Sequence, residues 1–152
     1  MSAVIIRKSQ RIGLSEFTKT SSLMAVGDLL PRRCSMISPS LVNQIEAAGL
    51  KIDLIEQRVA QALAEDAHDG DITSKATITA DQISQAAFTA RKSGVVAGTL
   101  IAAVVLEQCG LNNYQLLVKD GQAINAGTVL IKLEGNTRAI LLAERTALNF
   151  LS

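Results

Sequence analysis

The sequence predicts an α+β fold, in which helices pack on a roughly four-stranded, mostly antiparallel sheet. Apolar residues recur at helical spacing in three segments, 54–65, 99–109 and 137–151. Short segments in which apolar residues alternate with polar ones, or which are rich in β-branched residues, predict strands at 85–91, 95–97, 114–118 and 129–133. Because strands and helices come in mixed order rather than strict alternation, an α+β arrangement is favoured over a parallel sheet.

The helix boundaries follow from capping residues. Asp53, with Glu56 three residues on, has the pattern of a capping box and is expected to begin the first helix. Gly110 is expected to end the helix at 99–109, and Thr137 is expected to cap the helix at 137–151. A further short helix is expected at 41–50, ended by Gly49.

Turn residues separate the strands. Asp120-Gly121 and Asn125-Ala126-Gly127 predict two turns between the strands at 114–118 and 129–133. This spacing is typical of a β-hammerhead-like segment.

Composition sets limits on function. The chain of 152 residues is 48% hydrophobic and 3% aromatic, so one aliphatic core is expected and base stacking on aromatic side chains is poorly provided for. We therefore expect no nucleic-acid partner. No run of eighteen apolar residues occurs, so no membrane span is expected. Cys34 and Cys109 are the two cysteines, which gives no disulfide framework and indicates a reducing compartment.

Charge and serine content divide the chain into residues 1–50 and 51–152. Residues 1–40 contain six Lys or Arg against two Asp or Glu, together with many serines, and the rest is mildly acidic. We interpret residues 1–50 as a basic, Ser-rich leader, either flexible or a targeting segment, and residues 51–152 as the folded domain.

The acidic segment Glu65–Asp71, which includes the chain's one histidine, is the first place to look for a metal site. Placing the required glycine of an EF-hand at Gly70 puts Ala67 at the third ligand position and Ala76 where a bidentate glutamate is needed, so a calcium loop is excluded. Turn formation by the aspartates explains the segment, with His68 as an exposed loop residue. No metal site is expected.

Other sequence motifs give no self-contained active site. Residues 118–133 resemble half of a biotinyl or lipoyl carrier domain, but Lys119 and Lys132 are poorly placed for modification, so a carrier-like binding module is kept as an alternative. No phosphate-binding glycine motif and no nucleophile with a base is present. No catalytic residue is expected within this chain.

The last helix is apolar almost all the way round, which predicts that a second surface covers it. Its polar residues, Arg138, Arg145, Asn149 and Ser152, fall on one side. A guanidinium there is costly to bury unless an anion meets it, and its planar fork suits a carboxylate. Arg145 is therefore a candidate anion ligand. The other interpretation is an internal salt bridge, with Glu134 as the partner, because Glu144 points elsewhere around the helix.

Several segments resemble quinolinate phosphoribosyltransferase, also called nicotinate-nucleotide pyrophosphorylase (carboxylating), and they occur in the family's order over residues 53–152. These segments are Ala62–Asp66 with Gly70–Thr73, Ala90–Gly98, Asp120-Gly121, Leu133–Gly135 and Ala143–Phe150. The resemblance implies an α/β-hammerhead N-terminal domain, with the phosphoribosyl-transferring barrel absent. The molybdenum-associated relative of the family is an alternative.

The resemblance also implies a function. In the family, the matching arginine reaches across a dimer to a carboxylate of quinolinate in the partner's barrel, which implies that role in trans for Arg145, a weaker one for Arg138, and supporting roles for Glu144 and Asn149. The implied reaction converts quinolinate and phosphoribosyl pyrophosphate to nicotinate mononucleotide, pyrophosphate and carbon dioxide in NAD biosynthesis, with Mg²⁺ in the complete enzyme. The expected partner is a second copy of the chain or a barrel-bearing subunit. The expected location is the cytoplasm, or an organelle reached through the leader. The chain alone is expected to be inactive and to bind no cofactor.

Overall fold

The computed structural model describes residues 2–8 and 37–151, and for residues 2–8 and 67–77 it describes the backbone alone. Helices and strands alternate irregularly along the chain. In chain order they are β1 (Ser2–Lys8), α1 (Pro39–Ala47), α2 (Ile52–Thr77), β2 (Ile83–Ala90), β3 (Gly94–Val95), α3 (Thr99–Gln108), β4 (Asn113–Leu116), β5 (Ala123–Ile124), β6 (Val129–Asn136) and α4 (Thr137–Phe150).

The main sheet has the order β1-β2-β6-β4, and every neighbouring pair is antiparallel. β2 pairs with β6 from Ile83 opposite Asn136 to Phe88 opposite Ile131, after which a bulge shifts the register. β3 and β5 form a separate two-stranded antiparallel ribbon. The prediction of an α+β fold with a four-stranded antiparallel sheet is confirmed, and the described residues form no closed barrel.

The core lies between the sheet and the helices. Phe88 on β2 and Ile131 on β6 are fully buried, as are Val104 on α3 and Ile140 on α4. Alternation explains the buried face of β2, because Ala86, Phe88 and Ala90 point to the same side of the sheet. One side of the sheet is thus sealed by the helices.

The helix at 54–65 is longer than expected. α2 runs from Ile52 to Thr77, so the predicted loop at 65–71 is wrong, and Asp53 lies in the first turn rather than at the N-cap. Local turn preferences of Asp and Gly are weak compared with the packing of α2 against α3 and α4. The structure describes only the backbone at residue 68, so the exposure of the His68 side chain stays a prediction.

Residues on both sides of the expected boundary at residue 50 pack into one core. Leu41 and Ile45 on α1 are buried beside Val59 on α2. Ser2–Lys8 forms the edge strand β1, with Ser2 opposite Ala90 and Lys8 opposite Ser84. A flexible or targeting role for the leader stays a prediction, and most of that segment lies outside the described residues.

Asn136, and not Thr137, caps the last helix. The Asn136 side chain accepts hydrogen bonds from the main-chain N–H of Arg138 and Ala139, at 3.0 and 3.2 Å. Thr137 is instead buried and binds the carbonyl of Gln82 through both its N–H and its hydroxyl. The prediction of Thr137 as the cap is wrong by one residue because the longer Asn side chain reaches both free N–H groups.

Candidate functional site

Helix α4 carries the candidate site on its exposed face. α2 and α3 cover its inner face, where Ile140, Ala143 and Ala147 have no solvent exposure. Leu142, Arg145 and Asn149 are exposed. The expectation of a helix without a solvent face is therefore wrong, because its apolar residues concentrate on the side that meets α2 and α3.

Arg145 stands on this exposed face. No described residue gives it a hydrogen bond or an ion pair, and the proposed internal partner Glu134 binds elsewhere, accepting a hydrogen bond from Gln85 at 2.8 Å. Arg145 carries no cost of burial within this domain, because its side chain is exposed to solvent. Its fork is free, among the described residues, to meet an external anion.

Arg138 lies seven residues before Arg145 on α4, and its guanidinium makes hydrogen bonds within the domain. Its Nε donates to the main-chain carbonyl of Ile78 at 3.0 Å, and Nη2 donates to the same oxygen. Asn136 Nδ2 donates to the carbonyl of Ala80 at 2.6 Å, and Thr137 binds that of Gln82. Three consecutive residues thus hold alternate carbonyls of the segment between α2 and β2. This contact could not be predicted from the sequence, because any residue type can present the main-chain carbonyl that Arg138 binds.

The other two candidates flank Arg145. Glu144 is half-buried, and the loss of solvent raises the pKa of its carboxyl above the ordinary value. Asn149 is exposed, four residues after Arg145, and therefore lies one turn further along the same face. The structure brings Arg145 and Asn149 to one surface, with Leu142 beside them, and Glu144 is partly buried next to this surface.

Thr146, which follows Arg145, fixes this part of α4 to α2. Its hydroxyl donates to Asp66 Oδ2 at 2.5 Å, and the Thr146 side chain is fully buried. Because Asp66 lies near Thr146 and Ile78 near Arg138, α2 and α4 run antiparallel. Asp66 was expected to make a turn, and its role here as a helix-to-helix acceptor depends on the unexpected length of α2.

The described residues contain no group of three or more His, Cys, Asp or Glu side chains placed to hold a metal ion. None of the helices in the described part of the chain is long and apolar enough to cross a membrane. The described residues thus form a helix-covered antiparallel sheet, and α4 presents the exposed guanidinium of Arg145 on its outer face.

Comparison with known proteins identifies the family. Residues 71–152 match the model of the quinolinate phosphoribosyl transferase N-terminal domain. The chain therefore belongs to the quinolinate phosphoribosyl transferase family and corresponds to its N-terminal domain.

Individual relatives agree with this assignment. Over 92 residues the chain is 40% identical to the chloroplastic nicotinate-nucleotide pyrophosphorylase (carboxylating) of Arabidopsis thaliana. This alignment covers 59% of this chain and 26% of the Arabidopsis protein. Over 103 residues it is 35% identical to the Mycobacterium leprae enzyme of the same name, covering 65% of this chain and 36% of the relative. The structure of the nicotinate-nucleotide pyrophosphorylase from Francisella tularensis superimposes with a TM-score of 0.60 at 35% identity, covering 67% of this chain and 37% of that one. The chain thus spans between about a quarter and two fifths of the length of these relatives.

Proposed function

We propose that this chain is the substrate-covering domain of a quinolinate phosphoribosyltransferase, and that Arg145 binds a carboxylate of quinolinate in the barrel of a partner subunit. The observation that carries the proposal is the exposed guanidinium of Arg145 on a domain of this family. A free planar fork on a rigid helix can donate two parallel hydrogen bonds to a carboxylate without first breaking an internal ion pair.

The other candidates take lesser roles. Asn149, one turn beyond Arg145 on the exposed face, can donate or accept a hydrogen bond at the rim of the site. Arg138 already donates to Ile78, so its contribution is the positive potential that it adds to this end of the face. Glu144 supports the helix from its half-buried position and does not contact quinolinate.

The complete reaction needs groups from the barrel. There, phosphoribosyl transfer from phosphoribosyl pyrophosphate to quinolinate, followed by loss of carbon dioxide, gives nicotinate mononucleotide and pyrophosphate for NAD synthesis. Mg²⁺ would stabilise the pyrophosphate leaving group, and this domain would not bind the ion. Cationic side chains that meet the dicarboxylate in a closed site orient the substrate and lower its charge. Arg145 supplies one such cation.

The proposal requires a partner that bears a barrel, either a second copy of a complete subunit or a separate chain. We place this chain in the cytoplasm, or in an organelle if residues 1–50 direct it there. The Arabidopsis relative is named as a chloroplastic enzyme, which supports the second location. A fusion of residues 1–50 to a fluorescent protein separates the two by its distribution in the cell.

The test joins the full 152-residue chain to the barrel of the Francisella enzyme, replacing that enzyme's own N-terminal domain. We expect formation of nicotinate mononucleotide, and a rise in the KM for quinolinate of about 10- to 100-fold in Arg145→Ala, since a charge-assisted hydrogen bond contributes roughly 1.5 to 3 kcal/mol. Arg145→Lys should recover part of this loss.

Arg91→Ala is the matched control, because Arg91 is also exposed but lies after β2 and not on α4. Unchanged KM in Arg145→Ala, or an equal change in Arg91→Ala, would remove the proposed role of Arg145. Nicotinate mononucleotide made by the chain alone would contradict the need for a barrel.

A further inference from the structure

The segment Ala62–Asp66 contributes to the resemblance to the family, yet the proposed function gives it no role. Asp66 ends this segment on α2, and Thr146 lies in a second such segment, Ala143–Phe150, on α4. The two residues are 80 positions apart in the sequence, and the Thr146 hydroxyl donates to Asp66 Oδ2 at 2.5 Å. This hydrogen bond therefore joins the two segments at the residue that follows Arg145.

The inner face of α4 carries small side chains where it backs Arg145. Among the described side chains within one turn of Arg145 on this helix, the buried ones belong to Ala143, Thr146 and Ala147. An alanine side chain ends at Cβ, so it interlocks little with α2 and α3 and resists a small rotation or slide of α4 weakly. A hydrogen bond depends on both distance and angle, so the bond from Thr146 to Asp66 fixes α4 at this point.

Two further contacts hold the ends of α4. In its first turn, Thr137 and Arg138 bind main-chain carbonyls of the segment between α2 and β2. At its other end, the main chain of Phe150 lies against Gly98. Arg138 and Thr137 are seven and eight residues before Arg145, which corresponds to about 10 to 12 Å along a helix. The contact nearest to Arg145 is therefore the one that Thr146 makes with Asp66.

We propose that Asp66 and Thr146 are positioning residues for Arg145: their hydrogen bond holds α4 at the rotation and height from which the guanidinium reaches a carboxylate of quinolinate in the partner's barrel. This inference rests on the proposed function of Arg145 and adds the contact that orients this side chain. A guanidinium donates two parallel hydrogen bonds only from the correct position, and a misplacement of about 1 Å can remove much of the effect of a binding group. Thr146 is fully buried, so it acts through the helix and not by contact with the substrate.

The fusion of this chain to the Francisella barrel tests the inference through the KM for quinolinate. Thr146→Val keeps the shape and removes the donor, and we expect a KM about three- to tenfold higher with kcat nearly unchanged, which is part of the rise expected for Arg145→Ala. Asp66→Ala, which removes the acceptor, should raise the KM similarly, and Thr146→Ser, which keeps the hydroxyl, should restore it. In the Arg145→Ala background, Thr146→Val should add no further rise, because its effect passes through Arg145.

Thr137→Val is the matched control. Thr137 is also a buried threonine of α4, and its hydroxyl donates to the carbonyl of Gln82 at 3.0 Å, far from Arg145. This variant should lose stability, as Thr146→Val does, and keep the parental KM. A KM unaffected by Thr146→Val, in a fusion that responds to Arg145→Ala, would overturn the positioning role and leave the proposed function intact. An equal rise in Thr137→Val, or a further rise in the Arg145→Ala background, would also overturn it.

A distance measurement on the 152-residue chain depends neither on the barrel nor on substrate binding. Spin labels at Arg145→Cys and Gln57→Cys, in a chain with Cys34→Ser and Cys109→Ser, report where α4 lies against α2, since Gln57 is exposed on α2. By double electron–electron resonance we expect a distance distribution that broadens or shifts in Thr146→Val and in Asp66→Ala, and that is parental in Thr146→Ser.

The two measurements separate the inference from the function on which it rests. Distances unchanged in both Thr146→Val and Asp66→Ala would overturn the positioning role, even where Arg145→Ala raises the KM. A KM unaffected by Arg145→Ala would instead remove the proposed function, and the distances would still decide whether Asp66 and Thr146 fix the position of residue 145.

Discussion

The hydroxyl of Thr146 donates a hydrogen bond of 2.5 Å to Asp66 Oδ2, and this contact joins two antiparallel helices at the residue that follows Arg145. Thr146 is fully buried, whereas Asp66 is half-buried. Because the donor is neutral and the acceptor is a carboxylate, the bond is charge-assisted and stronger than one between two neutral groups.

Replacing Thr146 with Val should lower the free energy of unfolding by about 1 to 2 kcal/mol, because the shape is kept while the donor to Asp66 is lost. Guanidinium denaturation measures the change. Asp66→Asn, which keeps an acceptor oxygen, should cost less. In a double-mutant cycle with Asp66→Ala, strict additivity of the two changes would show that the bond does not contribute to stability.

Gly98 tests the contact between the start of α3 and the end of α4. Its φ is +87°, and a Cβ there would lie 2.0 Å from the carbonyl oxygen of Phe150. Gly110 has a similar φ of +76° with open space around it. Gly110→Ala should therefore cost about 1 to 2 kcal/mol, the strain of a left-handed residue, and Gly98→Ala should cost clearly more because α4 must also move. Equal thermal destabilisation of the two variants would contradict the tight approach.

The buried carboxylate of Glu107 on α3 joins the start of α1 to strand β4. It accepts hydrogen bonds from the Ser38 hydroxyl at 2.8 Å and from the Tyr114 hydroxyl at 2.6 Å, and Ser38 also caps α1. Burial, together with the hydrogen bond and the negative charge of Glu107, raises the pKa of Tyr114 far above its ordinary value of 10.0. The folded protein thus holds the phenolic proton more tightly than the unfolded chain does.

Tyr114 is the single tyrosine of the chain, so the phenolate absorbance reports on it alone. In the folded protein this absorbance should stay low through pH 10 and rise only well above it, whereas the chain unfolded in guanidinium should titrate near pH 10. Since the folded pKa is the higher one, the stabilisation is present below pH 10 and is lost as the pH rises above it. A midpoint near 10 in the folded protein would contradict the contact with Glu107.

Cys109 should be a poor nucleophile. Burial raises the pKa of its thiol from 9.0 to about 11, which lowers the thiolate fraction at pH 8 by roughly 100-fold. In a Cys34→Ser background, alkylation by iodoacetamide at pH 8 should be about 100-fold slower than that of free cysteine and should accelerate on unfolding. A rate like that of free cysteine would show that the thiol is accessible and ionises normally.

Parts of this molecule were predictable from local sequence, and the failures have a physical cause. α3 was predicted well because its apolar spacing agrees with its packing and Gly98 and Gly110 bound it. β6 was predicted from its apolar alternation, but it continues beyond the predicted end at Leu133, through Gly135 to Asn136. The length of α2 was missed because Asp and Gly near residue 70 favour a turn locally, whereas contacts with α3 and α4 extend the helix. The cluster of Glu107, Tyr114 and Ser38 could not be found, since Ser38 and Glu107 are 69 residues apart. For Arg145, helical spacing placed it correctly beside Asn149, but which side of α4 meets α2 and α3 depends on the assembled fold.

Replacing Arg138 should lower the stability of the domain, whereas replacing Arg145 should leave it nearly unchanged. Arg138 donates twice to the carbonyl of Ile78 and holds the segment between α2 and β2, whereas the guanidinium of Arg145 makes no hydrogen bond or ion pair with a described residue. Arg138→Ala should therefore reduce the free energy of unfolding by about 1 to 3 kcal/mol, because the carbonyl of Ile78 loses a charged donor. Arg145→Ala should stay within about 0.5 kcal/mol of the parent, as exposed substitutions usually do. Urea denaturation of both variants gives the comparison, with Arg91→Ala as a surface control. A large loss of stability in Arg145→Ala would mean that its guanidinium is held within this domain, and it would then be unable to reach a substrate carboxylate in a partner.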